Sequence, residues 1–266
     1  MKLSAVALSC IFLFVDVAVA RPSRLQERVA SRARLSRPVS YVEASELKTE
    51  SVAGNATEAI SYSTNWSGAV LESPPSGQTF NTVTGTFVVP TPTGTGAASA
   101  WVGIDGDTAQ NSILQAGVDF TVSGGKVSYQ AWYEWYPTAS IDFSNFAIAA
   151  GNTITVTVHS TSTTAGTVVL ENVSTGKSVT QTVKAPSSSA ALVGQNAEWI
   201  VEDFEENGSL VTLTNFGSVT FTGASASTSS SSVGLTDAAI LDIKQSSKVL
   251  TSVTIGSSSS VTIAHT

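Results

Sequence analysis

The stretch SYQAWYEWYP, Ser128–Pro137, gathers two tryptophans, three tyrosines and one carboxylate into ten residues of a chain that is 8% aromatic and 12% charged overall. Read as a strand, its side chains alternate between two faces. Tyr129, Ala131, Tyr133 and Trp135 then point one way, continuing back to Val127 as a core face. Gln130, Trp132, Glu134 and Tyr136 point the other way, an aromatic wall carrying one acid, as in a groove that holds an extended or ring-shaped ligand. Aromatics also favour strands and fill cores, which explains the first face better than the second.

The same alternation applies elsewhere. In Ala100–Asp105, the apolar Ala100, Val102 and Ile104 share one side, and Trp101 and Asp105 the other. In Ile113–Phe120, Leu114, Ala116, Val118 and Phe120 form a core face, with Gln115, Gly117 and Asp119 opposite. In Ala197–Asp203, Ala197, Trp199 and Val201 look inward, leaving Glu198, Ile200 and Glu202 outward. Trp66, between Asn65 and Ser67, has a similarly mixed setting. A solvated outer face is the ordinary place for such acids on an antiparallel strand. Here the acids share their faces with Trp66, Trp101, Trp132 and Tyr136, which a purely solvated face does not usually expose. The segments fit neighbouring strands lining a concave surface.

Short alternating runs such as Thr153–Val158, Ser218–Thr222 and Ser260–Ile263 recur through the rest of the chain, punctuated by Gly, Ser, Pro and Asn. No long helical period appears. The pattern predicts an all-β sandwich or jelly roll of antiparallel strands in a single domain. The serine-rich stretches Pro186–Ser189 and Ser225–Ser232 are expected to be loops.

The first twenty residues combine Lys2, an apolar run and the ending Ala18-Val19-Ala20, the layout of a cleaved secretory signal, too short and polar for a membrane anchor. An extracellular, secreted protein is expected, without membrane attachment. The one cysteine, Cys10, lies in this signal, so a mature chain would form no disulfide. Residues 21–59 hold seven bases, Arg21, Arg24, Arg28, Arg32, Arg34, Arg37 and Lys48. From Ile60 on there are five lysines, no arginine and fourteen carboxylates, a net charge of −9. A basic leader before an acidic body reads as a propeptide on a secreted enzyme, with 60–266 as the catalytic domain; a disordered basic tail is the alternative. The acidic body argues against nucleic acid as a partner. Four tripeptides carry the N-glycosylation pattern, at Asn55, Asn65, Asn172 and Asn207, a pattern frequent by chance.

His159 and His265 are the two histidines, and neither sits in a nucleophile motif. Without a Gly-x-Ser-x-Gly elbow or a mature thiol, serine or cysteine hydrolase chemistry is disfavoured. The histidines are too few for a zinc site, and no phosphate-binding glycine loop occurs, so neither metal nor cofactor is expected. Carboxylates and amides remain: acid–base work by Glu or Asp with an amide donor for an oxyanion.

Five motifs in order, Asn65–Gly68, Trp101–Asp107, Ile113–Gly117, Tyr133–Pro137 and Asn196–Phe204, closely resemble the glutamic peptidases called eqolisins, secreted pepstatin-insensitive acid proteases of fungi made with a propeptide. The resemblance covers about residues 60–266. It implies a concanavalin A-like sandwich of two seven-stranded antiparallel sheets, with a catalytic Gln and Glu on the concave face. The family's Gln falls on Gln115 and its Glu on Glu202. Trp66, Trp101, Asp105, Asp119, Trp132, Glu134 and Tyr136 would line or support the cleft. Gln130 stands where a relative carries an acid. Protein or peptide substrates, inhibition by the chain's own propeptide and a monomeric state follow from the same likeness. A glycosidase pairing Glu134 with Glu202, or a carbohydrate-binding lectin, is the rival reading of an aromatic groove.

Overall fold

The computed structural model describes residues 34–43 and 60–266. The signal segment with Cys10, the bases Arg21, Arg24, Arg28, Arg32 and Lys48, and the tripeptide at Asn55 lie outside the described residues.

Two large sheets pack face to face. The first runs, edge to edge, Ile60–Ser63, Ala239–Gln245, Trp66–Leu71, Ala197–Glu202, Gly96–Ile104, Ile113–Ser123, Lys126–Tyr136 and Ile141–Asp142, with Lys248–Val249 paired beside the second of these. The second runs Lys177–Lys184, Ala165–Asn172, Thr153–Ser162, Thr82–Val88, Ser218–Ser227, Ser260–His265 and Thr251–Ser257, with Ser232–Val233 added at its side. Leaving out the two-residue strands, each sheet has the seven strands expected; counting them, the sheets have nine and eight. One pair departs from the antiparallel rule: Ile60–Ser63 runs parallel to Ala239–Gln245.

The alternation is realised where one face is buried. Ala100, Val102, Leu114, Val118, Trp199 and Val201 from the first sheet meet Val156, Val168, Leu170, Val219 and Phe221 from the second in one continuous core. Each buried Val, Leu or Phe of this set contributes about 1.5–3 kcal/mol by leaving water. Trp199 is anchored within this layer by its Nε1–H, which donates to the Thr84 carbonyl at 2.8 Å. The outer face of the second sheet is finished with threonine pairs, Thr84–Thr157, Thr86–Thr155 and Thr220–Thr262, whose hydroxyls lie 2.8–2.9 Å apart.

The loop expectation for Ser225–Ser232 needs correction. Ser225–Ser227 continue the strand Ser218–Ser227, pairing with Thr82–Thr84, and Ser232 pairs back onto Ser227. Alternating small residues let Ala224 and Ala226 fill the core, so a serine-rich composition here is the outer face of a strand. Pro186–Ser189 is a loop that enters a short 3-10 turn at Ser188–Ala190. Among the described residues, no helix is long and apolar enough to cross a membrane.

Candidate active site

The first sheet turns a second, smaller cluster away from the core, made of Trp66, Val70, Trp101, Ile113, Trp132, Ile200 and Leu241, with Val39 of segment 34–43 completing it and Tyr136 against it. Its strand register sets three rows. Glu202, Ser99 and Asp119 share one; Ile200, Trp101, Gly117 and Trp132 the next; Glu198, Gly103, Gln115 and Glu134 the third. Gln115 and Glu202 therefore lie on the outer rows, on a diagonal with Trp101 between them. Gly117 makes the middle row possible, because a Cβ there would stand 2.3 Å from the Ala100 carbonyl oxygen and 2.5 Å from Trp101 Cβ. The Trp101 ring packs edge-on against Trp66, centroids 4.9 Å apart, and its Nε1–H donates to Glu202 Oε2 at 3.0 Å.

The segment 34–43 lies across this face. Ser36 places its Oγ–H on Glu202 Oε2 at 2.5 Å and its backbone N–H on Glu134 Oε2 at 3.1 Å, and the Arg37 N–H donates to Glu202 Oε1 at 3.1 Å. The Arg34 guanidinium forms two 3.0 Å bonds to Asp119 and a 3.4 Å contact with Glu134, and donates to Ser36 Oγ at 2.7 Å. It stacks between Trp132, 3.7 Å from the ring centroid, and Phe204 at 4.5 Å. Such a buried, bidentate, ring-stacked arginine is the strongest form of contact an acid–aromatic wall offers. Further along, Trp66 Nε1–H and Asn65 Nδ2 donate to the Arg37 carbonyl, Ser40 N–H donates to Asn65 Oδ1, and the Tyr41 hydroxyl donates to Asp107 Oδ1. Leu35 exchanges two backbone bonds with Glu205, and Arg37 pairs with the Glu205 carboxylate at 2.6 Å.

Burial sets the charge state of these acids. It pushes Glu202 up to about 7, against the lowering pull of Arg34, Ser36, the Arg37 N–H and Trp101. Glu134 is raised well above the ordinary carboxylate range by burial and by the charge of Glu202, with Arg34, the Ser36 N–H and Gln115 opposing. Asp119 is raised by burial despite its arginine partner. Glu198 is raised well above its usual value by burial and then by Asp105 and Asp107, and neither of its oxygens has a protein partner. Gln115 donates from Nε2 to Glu134 Oε1 at 3.2 Å, while its Oε1 is buried without a partner.

Of the residues singled out in the sequence, Trp66, Trp101, Gln115, Asp119, Trp132, Glu134, Tyr136 and Glu202 come together on this face. Asp105 does not join them. At the strand end its φ is 68°, and its carboxylate instead accepts the backbone N–H groups of Val193, Gly194, Gln195 and Asn196 at 2.6–3.3 Å. It ties down the loop that leads into the Ala197–Glu202 strand, so its role is support. Gln130 also leaves the site, donating to the carbonyls of Ala131 and Phe143, while Trp132 Nε1–H finds Ser99 Oγ at 3.0 Å. Ser99 was missed, although it alternates with Trp101 and belongs to the same face. Phe204 closes the Asn196–Phe204 motif but was given no role, and Ser36 carries no pattern that would have marked it. His159 and His265 stand on the second sheet, away from this face. Among the described residues, no cluster of three or more His, Cys, Asp or Glu side chains could hold a metal ion.

The sandwich as a whole is similar to those of solved peptidases. The crystal structure of scytalido-glutamic peptidase with a transition state analog inhibitor is similar with a TM-score of 0.70 and 39% identity, covering 76% of this chain and 98% of that one. That of aspergilloglutamic peptidase from Aspergillus niger gives a TM-score of 0.61 at 50% identity, covering 64% and 99%. In sequence, aspergillopepsin-2 of Aspergillus niger is 41% identical across 95% of this chain and 96% of its own length, and scytalidopepsin B of Scytalidium lignicola 39% across 91% and 92%. The protein is a peptidase. Residues 64–265 match the model of the Peptidase A4 family, and the chain belongs to that family.

Proposed function

We propose that the chain is a secreted acid endopeptidase, made as a precursor, in which Glu202 and Gln115 activate water against the scissile peptide bond and segment 34–43, part of a leader spanning 21–59 after a signal at 1–20, holds the enzyme inactive. The observation that carries this reading is the Ser36 hydroxyl bonded to Glu202, with the Arg37 N–H on the other carboxylate oxygen. A water molecule taking the place of that hydroxyl would surrender its proton to Glu202 and attack the carbonyl of a chain laid along the same path. Glu202 would then return the proton to the leaving amine. Gln115 keeps one Nε2 hydrogen on Glu134 and has a second for the tetrahedral oxyanion, a donor independent of pH.

Glu202 near 7 is protonated in acid, which at first sight opposes a role as base. The largest cause is burial, which outweighs the lowering pull of the segment's Arg34, Ser36 and Arg37 N–H. Departure of the segment readmits water, which favours the ionised form, and removes three groups that also favoured it; the mechanism needs the ionised fraction in acid that a carboxyl near the reference value of about 4.3 retains. On this account the leader silences the enzyme by filling the place of the water and by engaging both oxygens of the base. Incubating processed protein with denatured protein and with glucan at acid pH, pepstatin present, tests the reading. Peptide fragments without sugar release are expected; sugar release, or complete block by pepstatin, would overturn it.

A further inference from the structure

The fold sorts the asparagines of the glycosylation tripeptides. Asn65 is 3% exposed, and its Nδ2 donates to the Arg37 and Pro38 carbonyls while its Oδ1 accepts from Ser40 and Ser63. Asn172 is 0% exposed, its Nδ2 donating to the Ala147 carbonyl and Asn152 Oδ1. A sugar on either nitrogen would remove a buried donor and need room in packed interior. Asn207 differs in every respect. It is exposed at the turn of the hairpin Glu205–Glu206/Ser209–Leu210, with φ 55° followed by Gly208 at 76°, and its side-chain amide bonds to nothing among the described residues. Two successive left-handed residues make the tight hairpin turn that Asn-Gly favours and aim the asparagine into solvent.

We propose that Asn207 is the N-glycosylation site of the folded domain and that Asn65 and Asn172 stay bare. The proposal rests on entry into the secretory pathway, part of the functional reading above. The donor is a lipid pyrophosphate-linked oligosaccharide: the Asn207 amide nitrogen bonds to the anomeric carbon, the bond from that carbon to the pyrophosphate oxygen breaks, and the amide gives up one proton. The enzyme acts on chains before they fold, so every tripeptide is reachable, and the native structure decides which glycan is compatible with folding. The same hairpin holds the 34–43 segment through Glu205. The glycan therefore stands at the rim of the cleft, over an exposed turn of the kind that proteases nick.

The test secretes the full chain from a fungal host, once behind its own first twenty residues and once behind a foreign secretion signal. Enzymatic deglycosylation in oxygen-18 water converts each glycosylated asparagine to a labelled aspartate, and a parallel incubation without the enzyme subtracts the label that spontaneous deamidation at Asn207-Gly208 takes up. Label at Asn207 in most molecules, none at Asn65 or Asn172, and loss of one glycan in Asn207→Gln with unchanged activity on short peptides are expected. Unlabelled Asn207 behind the foreign signal, or label at Asn65 or Asn172, would overturn the proposal. Label with the foreign signal only would uphold the site and count against the native secretion reading instead.

Discussion

The Ser36 hydroxyl stands 2.5 Å from Glu202 Oε2 and donates to it, so one side chain of segment 34–43 occupies the acid on which the proposed chemistry turns. The same hydroxyl accepts from Arg34, and the same residue's N–H reaches Glu134. A single serine thus joins the arginine anchor to both acids.

Ser36→Ala removes that bridge while leaving the backbone bonds in place. Hydrogen bonds to charged groups are worth about 1.5–3 kcal/mol, so a synthetic peptide spanning 34–43 with alanine at position 36 should inhibit processed enzyme roughly ten- to a hundredfold less well. Inhibition constants on a peptide substrate measure this. Equal inhibition would mean that the Ser36 contact is incidental.

Arg34→Ala should show its effect in the pH dependence. Arg34 lowers the pKa of Asp119, Glu134 and Glu202, so relative to alanine its contribution is present while these acids are ionised and is lost as pH falls and they take up protons. The ratio of inhibition constants, Arg34→Ala peptide over native peptide, should therefore be largest near neutrality and shrink toward one in acid. Salt should alter it little, since the Arg34 and Asp119 side chains are only 10% and 11% exposed, whereas the contribution of Arg37, 46% exposed beside Glu205, should be screened. A ratio constant across pH would exclude an electrostatic latch.

Much of this was legible in the sequence, and the parts that were not share a cause. Alternation through Ala100–Ile104 and Leu114–Phe120 put Trp101, Gln115 and Asp119 on the face away from the core because one buried face fixes the register of a strand. It could not say which strands are neighbours, and so could not show Gln115 bonding to Glu134 across a row or lying diagonal to Glu202. Asp105, which alternation put on the face of Trp101, leaves that face for a local reason: alternation holds only while the chain stays extended, and there the backbone turns left-handed. Arg34 was visible as one basic residue among several in residues 21–59; its choice over its neighbours depends on the Trp132–Phe204 slot, which exists only in three dimensions.

The domain should be most stable in acid. Away from the leader, Asp203 and Asp242 are pushed up to about 7 and about 6, and Glu198 is raised well above its usual range, all chiefly by burial. Carboxyls with raised folded values stabilise the fold below their unfolded pKa of about 4, and this contribution is lost as pH rises through the folded values. The melting temperature of processed protein should fall between pH 4 and pH 8, and Glu198→Gln, which keeps the neutral shape, should flatten the decline. A melting temperature that climbs toward neutrality would contradict the assignment.

The division of labour between the acids is tested most directly by kcat and KM for Glu202→Gln beside Glu134→Gln and Gln115→Ala, each processed in trans and checked for folding by circular dichroism. Proton transfer by a positioned side chain is worth about 10²–10⁴ in rate, so Glu202→Gln should lose at least a hundredfold in kcat. Losing an oxyanion donor costs about 3 kcal/mol, so Gln115→Ala should lose kcat on a similar scale with KM within a few fold, whereas Glu134→Gln should lose less. A Glu202→Gln enzyme within tenfold of the native kcat, or equal large losses at Glu134 and Glu202, would contradict the Glu202–Gln115 mechanism.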